Sequence, residues 1–133
     1  MLQLPAAIFD AMVEHARVAR PAECCGLLAG RGAVVSERFE LRNELVSPVA
    51  YQADPRDLFA AFRELRERGL ELLAIYHSHP TSSARPSRTD LEQNYYGDVP
   101  RIIISLADDP PVVKGFRLFQ DHFEELPVHR RGN

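Results

Sequence analysis

Two histidines separated by a single residue are the side chains of this sequence with the clearest chemical potential. His77 and His79 lie at the end of an apolar run, directly before Pro80. Side chains two residues apart in a strand point to the same side, so both imidazoles can converge on one point. Histidine nitrogens bind zinc at about 2.0–2.1 Å, which requires such convergence. The spacing therefore predicts a pair of metal ligands where Pro80 ends the strand.

Asp90 is a third potential ligand. It belongs to the motif Ser87-x-x-Asp90, which places the aspartate in the first turn of a short helix. Two histidines and one carboxylate leave the fourth tetrahedral position of a zinc ion to water, which is typical of catalytic zinc sites. Each half of the pattern also has a simpler explanation, because His-x-His arises by chance and Ser-x-x-Asp resembles a helix-capping box. The joint pattern at a strand end and a helix start favours the metal site.

A metal-bound water requires a general base, and the best candidate is Glu23. The helical His-Glu-x-x-His arrangement, which would supply a base, does not occur in the sequence. Glu23 stands at the start of an apolar strand, where burial can raise the pKa of a carboxyl group towards neutrality. Spacing alone does not select it over Glu14 or Glu40. In addition, an acidic residue before a buried strand is more often solvated at the edge of the sheet than catalytic.

Three helices are predicted to support these residues. Apolar residues at every fourth position predict a helix over residues 5–19. A second helix begins after the cap Asp54 and ends at Gly69. A short third helix is predicted over residues 87–95. The residues of the second helix that are expected in the core are Leu58, Phe59 and Phe62.

Strands are predicted between and after these helices. They cover residues 24–29, 34–41, 72–76, 102–106, 112–119 and 123–128. Helices that alternate with central apolar strands indicate an α/β sandwich. We expect one domain over residues 1–128 and a disordered tail over residues 129–133.

The composition fits a cytoplasmic globular domain. The chain has 133 residues, of which 45% are hydrophobic, and 16 basic against 19 acidic residues give a net charge of −3. This acidic balance does not favour nucleic acid as a partner, and no apolar run approaches the roughly 20 residues that span a membrane. The first residues lack a basic leader, so no signal peptide is expected. The neighbours Cys24 and Cys25 are expected to pack as small apolar side chains rather than bind metal.

The combination of a glutamate before the first strand with His-Ser-His-Pro and Ser-x-x-Asp resembles the Mov34/MPN/PAD-1 family, the JAMM zinc metalloproteases. The resemblance extends to about residue 128. It implies that His77, His79 and Asp90 bind one zinc ion per chain, together with a water. It also implies that Glu23 is the catalytic base and that Ser87 helps to stabilise the oxyanion. The family fold is cytidine deaminase-like, with a mixed, curved β-sheet and packed helices.

Within this family the chain is similar to a compact bacterial branch. The shared features are Glu-Cys-Cys-Gly at residues 23–26 and the segment from Asn43 to Pro55. Members of that branch release groups joined to the C-terminal tail of ubiquitin-like sulfur carriers. The resemblance therefore implies a zinc-dependent peptidase or isopeptidase that acts on such a tail. It does not indicate the carrier, the leaving group or the oligomeric state.

Two other functions remain open at this point. The chain could be a non-catalytic MPN interaction module, which a missing ligand would indicate, or a zinc hydrolase of a small-molecule amide. The paired cysteine ligands of zinc deaminases are absent, because Cys24 and Cys25 lack the two-residue spacer. Arg85 borders the motif and could contact a substrate carboxylate, although a solvated loop arginine is the simpler interpretation.

Overall fold

Within residues 2–132, which a computed structural model describes, eight strands form one sheet and three helices accompany it. The strands are β1 (Leu2–Pro5), β2 (Cys25–Arg31), β3 (Val34–Leu41), β4 (Glu71–His79), β5 (Arg101–Ser105), β6 (Val112–Leu118), β7 (Phe123–Leu126) and β8 (Val128–Arg131). The helices are α1 (Ala6–Ala19), α2 (Pro55–Arg68) and α3 (Arg88–Glu92). The strand order is β7-β6-β5-β4-β2-β3-β1-β8, with parallel and antiparallel pairs. The predicted mixed α/β fold is confirmed.

The central strand β4 carries the histidine pair. It runs antiparallel to β2 and parallel to β5, so that His77 lies between Cys25 and Ile103. The last six residues of β4 are buried. Strands that are covered on both faces have continuous apolar sequences, which explains the run before the histidines. Both imidazoles therefore lie in rigid surroundings with little water.

The two faces of the sheet bury separate apolar clusters. On one face α1 contributes Met12 to a cluster that includes Tyr76. On the other face α2 contributes Ala61 to a cluster that includes Ile75. Because side chains alternate along a strand, the two histidines share the face of Ile75 and α2. The two histidines that the sequence predicts as metal ligands thus lie on one side of the sheet.

Helix α2 begins and ends where the sequence predicts. The Asp54 side chain accepts a hydrogen bond of 2.8 Å from the first turn, and Gly69 ends the helix with a φ of 64°. Leu58 and Phe62 pack against the core, but the prediction for Phe59 is wrong, because this side chain is 67% exposed. It lies on the outer side of an amphipathic helix. Of the helices within residues 2–132, none combines the length and hydropathy that a membrane span requires.

Helix α3 ends at Glu92, earlier than the predicted residue 95. Asn94 explains the early end. Its side-chain amide donates to the Gly97 carbonyl at 3.0 Å, and its Oδ1 accepts from the Tyr96 N–H at 3.4 Å. Local side-chain hydrogen bonds of this kind compete with those of a helix. The chain after α3 therefore forms a loop that leads to β5.

The predicted disorder of the tail is wrong for residues 129–131. They belong to β8, the edge strand that pairs in parallel with β1. Arg130 also forms an ion pair with Asp10 at 3.1 Å and lies over the Phe9 ring of α1. The order of this segment depends on contacts with the opposite end of the chain, which its own composition does not reveal. Asn133, the last residue of the predicted tail, lies outside the described residues, as does Met1.

Candidate metal and catalytic site

The side chains of His77, His79 and Asp90 meet at the end of β4. Asp90 Oδ1 lies 3.1 Å from His77 Nε2, and Asp90 Oδ2 lies 3.1 Å from His79 Nε2. The two Nε2 atoms are 3.3 Å apart. Zinc bonds of 2.0–2.1 Å at tetrahedral angles separate neighbouring ligand atoms by about 3.3–3.4 Å. The spacing of the three side chains therefore fits a single zinc ion with little rearrangement.

Two local features hold these side chains in place. Strand alternation directs both imidazoles to one face, and β4 ends immediately after them at Pro80. A capping box at α3 fixes Asp90: its N–H donates to Ser87 Oγ at 3.1 Å, and its Oδ2 accepts from the Ser87 N–H at 2.9 Å. The Ser-x-x-Asp motif forms the capping box, and the same aspartate faces the two histidines, as the predicted metal site requires.

The electrostatics of this group favour bound positive charge. His79 Nδ1 donates to the Ser83 carbonyl at 2.8 Å, which directs Nε2 at Asp90. Burial alone would lower the pKa of His79, but its hydrogen bonds to Asp90 and Ser83 raise it. Burial alone would raise the pKa of Asp90, but hydrogen bonds from the two histidines hold it well below its usual range. A proton or a metal cation between these groups satisfies the buried carboxylate. Orientation of a ligand histidine by a carbonyl is also typical of metal sites.

Glu23 lies two residues before β2 and is only 3% exposed. Continuing the pairing of β2 and β4 by two residues places it opposite His79. Its N–H donates to the Ser47 carbonyl at 2.8 Å, and its carbonyl accepts from Asn43 Nδ2 at 2.9 Å. Its Oε1 has no hydrogen-bond partner among residues 2–132. Burial raises the pKa of Glu23 from 4.5 to about 8, against a smaller opposing effect of His79.

The other two glutamates considered as the base have different surroundings. Glu14 is exposed on α1, with Arg17 3.9 Å away. Glu40 lies on β3, where it pairs with Arg38 at 3.2 Å. Only Glu23 of the three is buried and subject to the charges of the histidine and aspartate group. The structure therefore distinguishes Glu23 from the other two glutamates, whereas their spacing in the sequence does not.

The remaining polar residues of the motif face different directions. Ser87 Oγ accepts a hydrogen bond from Asp90, which leaves its own proton free to donate. Ser78 is fully buried on the opposite face of β4, where its Oγ accepts from the Cys24 N–H at 2.8 Å. Cys24 and Cys25 are buried free thiols, and within residues 2–132 neither belongs to the group that could bind metal.

A cavity of about 370 Å³ opens beside His77. The Tyr51 ring stacks on the imidazole, with the ring centroids 4.9 Å apart. Arg101 lines the same cavity from the start of β5, with its guanidinium 5.8 Å from the centre of the Tyr96 ring. The sequence analysis included Tyr51 only in the family segment from Asn43 to Pro55, without a role at the site, and it missed Arg101. The available signal for Arg101 was a charged residue directly before an apolar strand. Arg85, which borders the motif in the sequence, is exposed outside this cavity.

The sequence matches a known family, described as prokaryotic homologs of the JAB domain, over residues 5–118. The chain belongs to this family. The match spans the glutamate, the histidine pair and the Ser-x-x-Asp motif. The resemblance to JAMM proteins and their fold, which the motif predicted, is confirmed.

Two relatives are similar to this prokaryotic JAB protein over nearly its whole length. The CysO-cysteine peptidase of Mycobacterium tuberculosis is 32% identical over 132 residues, which cover 97% of this chain and 90% of the relative. The desampylase of Haloferax volcanii is 35% identical over 134 residues, which cover 96% of this chain and 94% of the relative. The solution structure of protein DSY2949 from Desulfitobacterium hafniense has a TM-score of 0.90 and 35% identity, covering 100% of this chain and 94% of that one. The chain is a hydrolytic enzyme of the JAB family.

Proposed function

We propose that this JAB protein is a zinc-dependent peptidase or isopeptidase that acts after the C-terminal tail of a ubiquitin-like or sulfur-carrier protein. The observation that carries the proposal is the position of the buried carboxyl of Glu23, with Oε1 unpartnered among residues 2–132, beside three side chains whose spacing fits zinc. The names of the two relatives, a CysO-cysteine peptidase and a desampylase, support a conjugate as substrate. We expect it to act in the cytoplasm, without nucleic acid or membrane.

The residues that would hold one zinc ion per chain are His77, His79 and Asp90. Two nitrogen ligands and one carboxylate are a common donor set for this metal, and the buried, anionic Asp90 requires a positive partner. When bound, zinc lowers the pKa of water and polarises the carbonyl group of the substrate.

Glu23 moves the proton. Its carboxylate removes one proton from the attacking water while the water oxygen adds to the carbonyl carbon. The carboxyl group then gives this proton to the leaving nitrogen as the C–N bond breaks. Its pKa of about 8 without metal allows it to hold the proton, and a neighbouring cation lowers the pKa so that it can also accept one.

Ser87 stabilises the oxygen that becomes negatively charged. Its hydroxyl proton is free to donate because Oγ accepts from the Asp90 N–H at 3.1 Å. A donor that is fixed before the reaction needs no reorganisation when the charge develops. The α3 cap therefore has a second use, since it orients this hydroxyl group beside Asp90.

The substrate tail would lie in the cavity beside His77. A volume of about 370 Å³ admits a short, slender segment rather than a folded surface. Three exposed apolar or aromatic side chains line the cavity, namely Leu45, Tyr95 and Tyr96. They provide contact area for the body of a carrier protein while its tail enters the cavity.

Hydrolysis of ubiquitin-like and sulfur-carrier fusions by the zinc-loaded protein tests the proposal. Chelation by EDTA should abolish cleavage, and added zinc should restore it. Glu23→Gln should keep its zinc but lose at least about 100-fold in kcat, whereas His77→Ala should lose both zinc and activity. Glu14→Gln, which removes an exposed carboxyl, is the matched control.

The other functions give different results in the same assay. Zinc binding without cleavage of any fusion or amide would indicate a non-catalytic interaction module. Cleavage of small amides without cleavage of fusions would indicate a small-molecule hydrolase. Equal rates for Glu23→Gln and the wild type would show that the base is assigned wrongly.

A further inference from the structure

Arg101 is a buried cation, and residues 2–132 hold no acidic partner for it. The residue is 3% exposed, and no carboxylate among residues 2–132 lies within 4.0 Å of its guanidinium. Arginine remains charged in proteins, and a buried charge without a partner is unfavourable. Since the side chain lines the cavity beside His77, the missing partner can enter from solvent.

Neutral groups hold the guanidinium in position. Nη1 donates to the Val99 carbonyl, and Nη2 donates to Asn94 Oδ1. The Tyr96 ring lies 5.8 Å from the guanidinium carbon. These groups orient the side chain without neutralising its charge. The guanidinium has five N–H donors, so donors remain for a ligand.

The register of the sheet relates Arg101 to the proposed reaction centre. Arg101 pairs with Ile75, while His77 pairs with Ile103. Arg101 and His77 therefore lie on the same face and are separated by two residues, about 6.6 Å, along neighbouring strands. Tyr51 stacks on His77 and lines the same cavity as Arg101. His77, Asp90 and Arg101 line one cavity, so a substrate bound at the proposed metal site can extend within that cavity to the guanidinium.

We propose that Arg101 binds a free carboxylate on the leaving group, so that the enzyme releases an amino acid or short peptide with an α-carboxylate next to the cleaved bond. This inference rests on the proposed function and specifies its leaving group. A carboxylate is the anion that the planar guanidinium pairs with through two hydrogen bonds. A lysine side chain of a folded protein presents no such group beside its amide nitrogen.

The reaction is a simple hydrolysis. Water adds to the carbonyl carbon of the tail, and the C–N bond to the last residue breaks. The tail gains a carboxylate, and the released amino acid leaves with its own carboxylate and a protonated amine. One water is consumed, and no redox partner is required. Arg101 pairs with the same carboxylate before and after cleavage, so it is a specificity residue rather than an acid or a base.

The test compares two substrates that differ in one group. A ubiquitin-like carrier is extended beyond its terminal glycine by one alanine, either as the free acid or as the carboxamide. The zinc-loaded wild type should cleave the acid with a kcat/KM about 10- to 100-fold higher, the usual range for a hydrogen bond to a charged group. In Arg101→Gln this ratio should fall to about 1 through loss on the acid alone, and Arg101→Lys should restore only part of it.

A purely structural role of Arg101 predicts a different outcome. If Arg101 only holds Asn94 and Val99, its replacement would lower kcat/KM for both substrates equally, and the inference would be overturned. Arg117→Gln, which removes an arginine from a separate cavity, is the matched control and should keep the wild-type ratio. If Arg101→Gln does not fold, the ratio of kcat/KM for the acid to that for the amide in the wild type tests the proposal. Equal values for the two substrates would contradict it.

Binding separates this inference from the proposed function. Calorimetry with zinc-loaded Glu23→Gln measures affinity for the peptides Gly-Gly-Ala and Gly-Gly-Ala-amide without requiring hydrolysis. Tighter binding of the acid supports the carboxylate site even if neither fusion is cleaved, in which case only the proposed function fails. Equal binding of acid and amide overturns the carboxylate site even if both fusions are cleaved.

Discussion

Replacing Glu23 with glutamine should stabilise the metal-free protein, and increasingly so as the pH rises. Burial raises the pKa of Glu23 from 4.5 to about 8, whereas the unfolded chain exposes the carboxyl to water. Between these two pKa values the folded state holds a proton that the unfolded state has lost. The stability of the wild type therefore decreases as the pH rises from 4.5 to about 8. Glutamine does not titrate and removes this loss.

The magnitude follows from the size of the pKa shift. A difference of 8 − 4.5 = 3.5 units, at about 1.4 kcal/mol per unit, sets an upper limit of about 5 kcal/mol. The interval from about pH 5 to pH 8 covers most of the titration. We expect the free energy of unfolding of the variant, relative to the wild type, to grow by about 2–4 kcal/mol over this interval. Titrating groups far from Glu23 contribute equally to both proteins and cancel in the difference, whereas His79, whose pKa the Glu23 carboxylate helps to raise, adds a smaller term of its own.

Urea unfolding in the presence of EDTA, at about pH 5, 6.5 and 8, measures this difference. Equal m-values would show that both proteins expose the same surface on unfolding. Glu14→Gln removes an exposed carboxyl from α1, and its difference from the wild type should stay within about 0.5 kcal/mol at each pH. A constant difference for Glu23→Gln across the pH range would refute the reasoning, because it would mean that the carboxyl group is solvated in the folded protein.

Three further predictions concern the strands around the site. Burial raises the pKa of Cys24 to about 11 and that of Cys25 to about 12. Both thiols should therefore react with a disulfide reagent only after unfolding, and rapid reaction of the native protein would contradict their burial. Ser78→Ala leaves the Cys24 N–H unpaired and should cost about 1–3 kcal/mol in urea unfolding, whereas an unchanged midpoint would mean that water replaces the hydroxyl. Gly26→Ala places a Cβ closer to the Tyr76 ring than van der Waals contact allows and should cost about 1–3 kcal/mol or more, which a native-like melting temperature would disprove.

Short-range spacing was sufficient to predict the group that fits a metal. His77 and His79 share a face because alternation is a local property of a strand, and Asp90 is placed by a cap that forms within four residues. Glu23 was different, because its spacing does not distinguish it from Glu14, and its role came from the family resemblance. The catalytic and metal-binding roles of these residues remain predictions that the variants above test.

The cavity beside the site could not be predicted, because long-range pairing forms it. Arg101 reaches it through the register of β4 and β5, and Tyr51 reaches it when a loop without periodic sequence packs onto His77. Strand β8 was missed for the same reason, since it is ordered by pairing with β1 at the other end of the chain. Phe59 was misplaced because its hydrophobicity outweighed its position on the outer side of α2.

The residues that alternate with the histidines on β4 form hydrogen bonds on the opposite face of the sheet, and these help to position the histidines. The Tyr76 hydroxyl donates to His15 Nδ1 at 2.7 Å and accepts from Arg38 at 3.0 Å, on the face of β4 away from the cavity. On the same face, Ser78 Oγ accepts from the Cys24 N–H at 2.8 Å. These hydrogen bonds hold β4 in place from the face opposite the cavity, because each requires one register and one rotamer. The histidines are therefore positioned by the backbone and by their neighbours, which leaves their Nε2 atoms available to a metal.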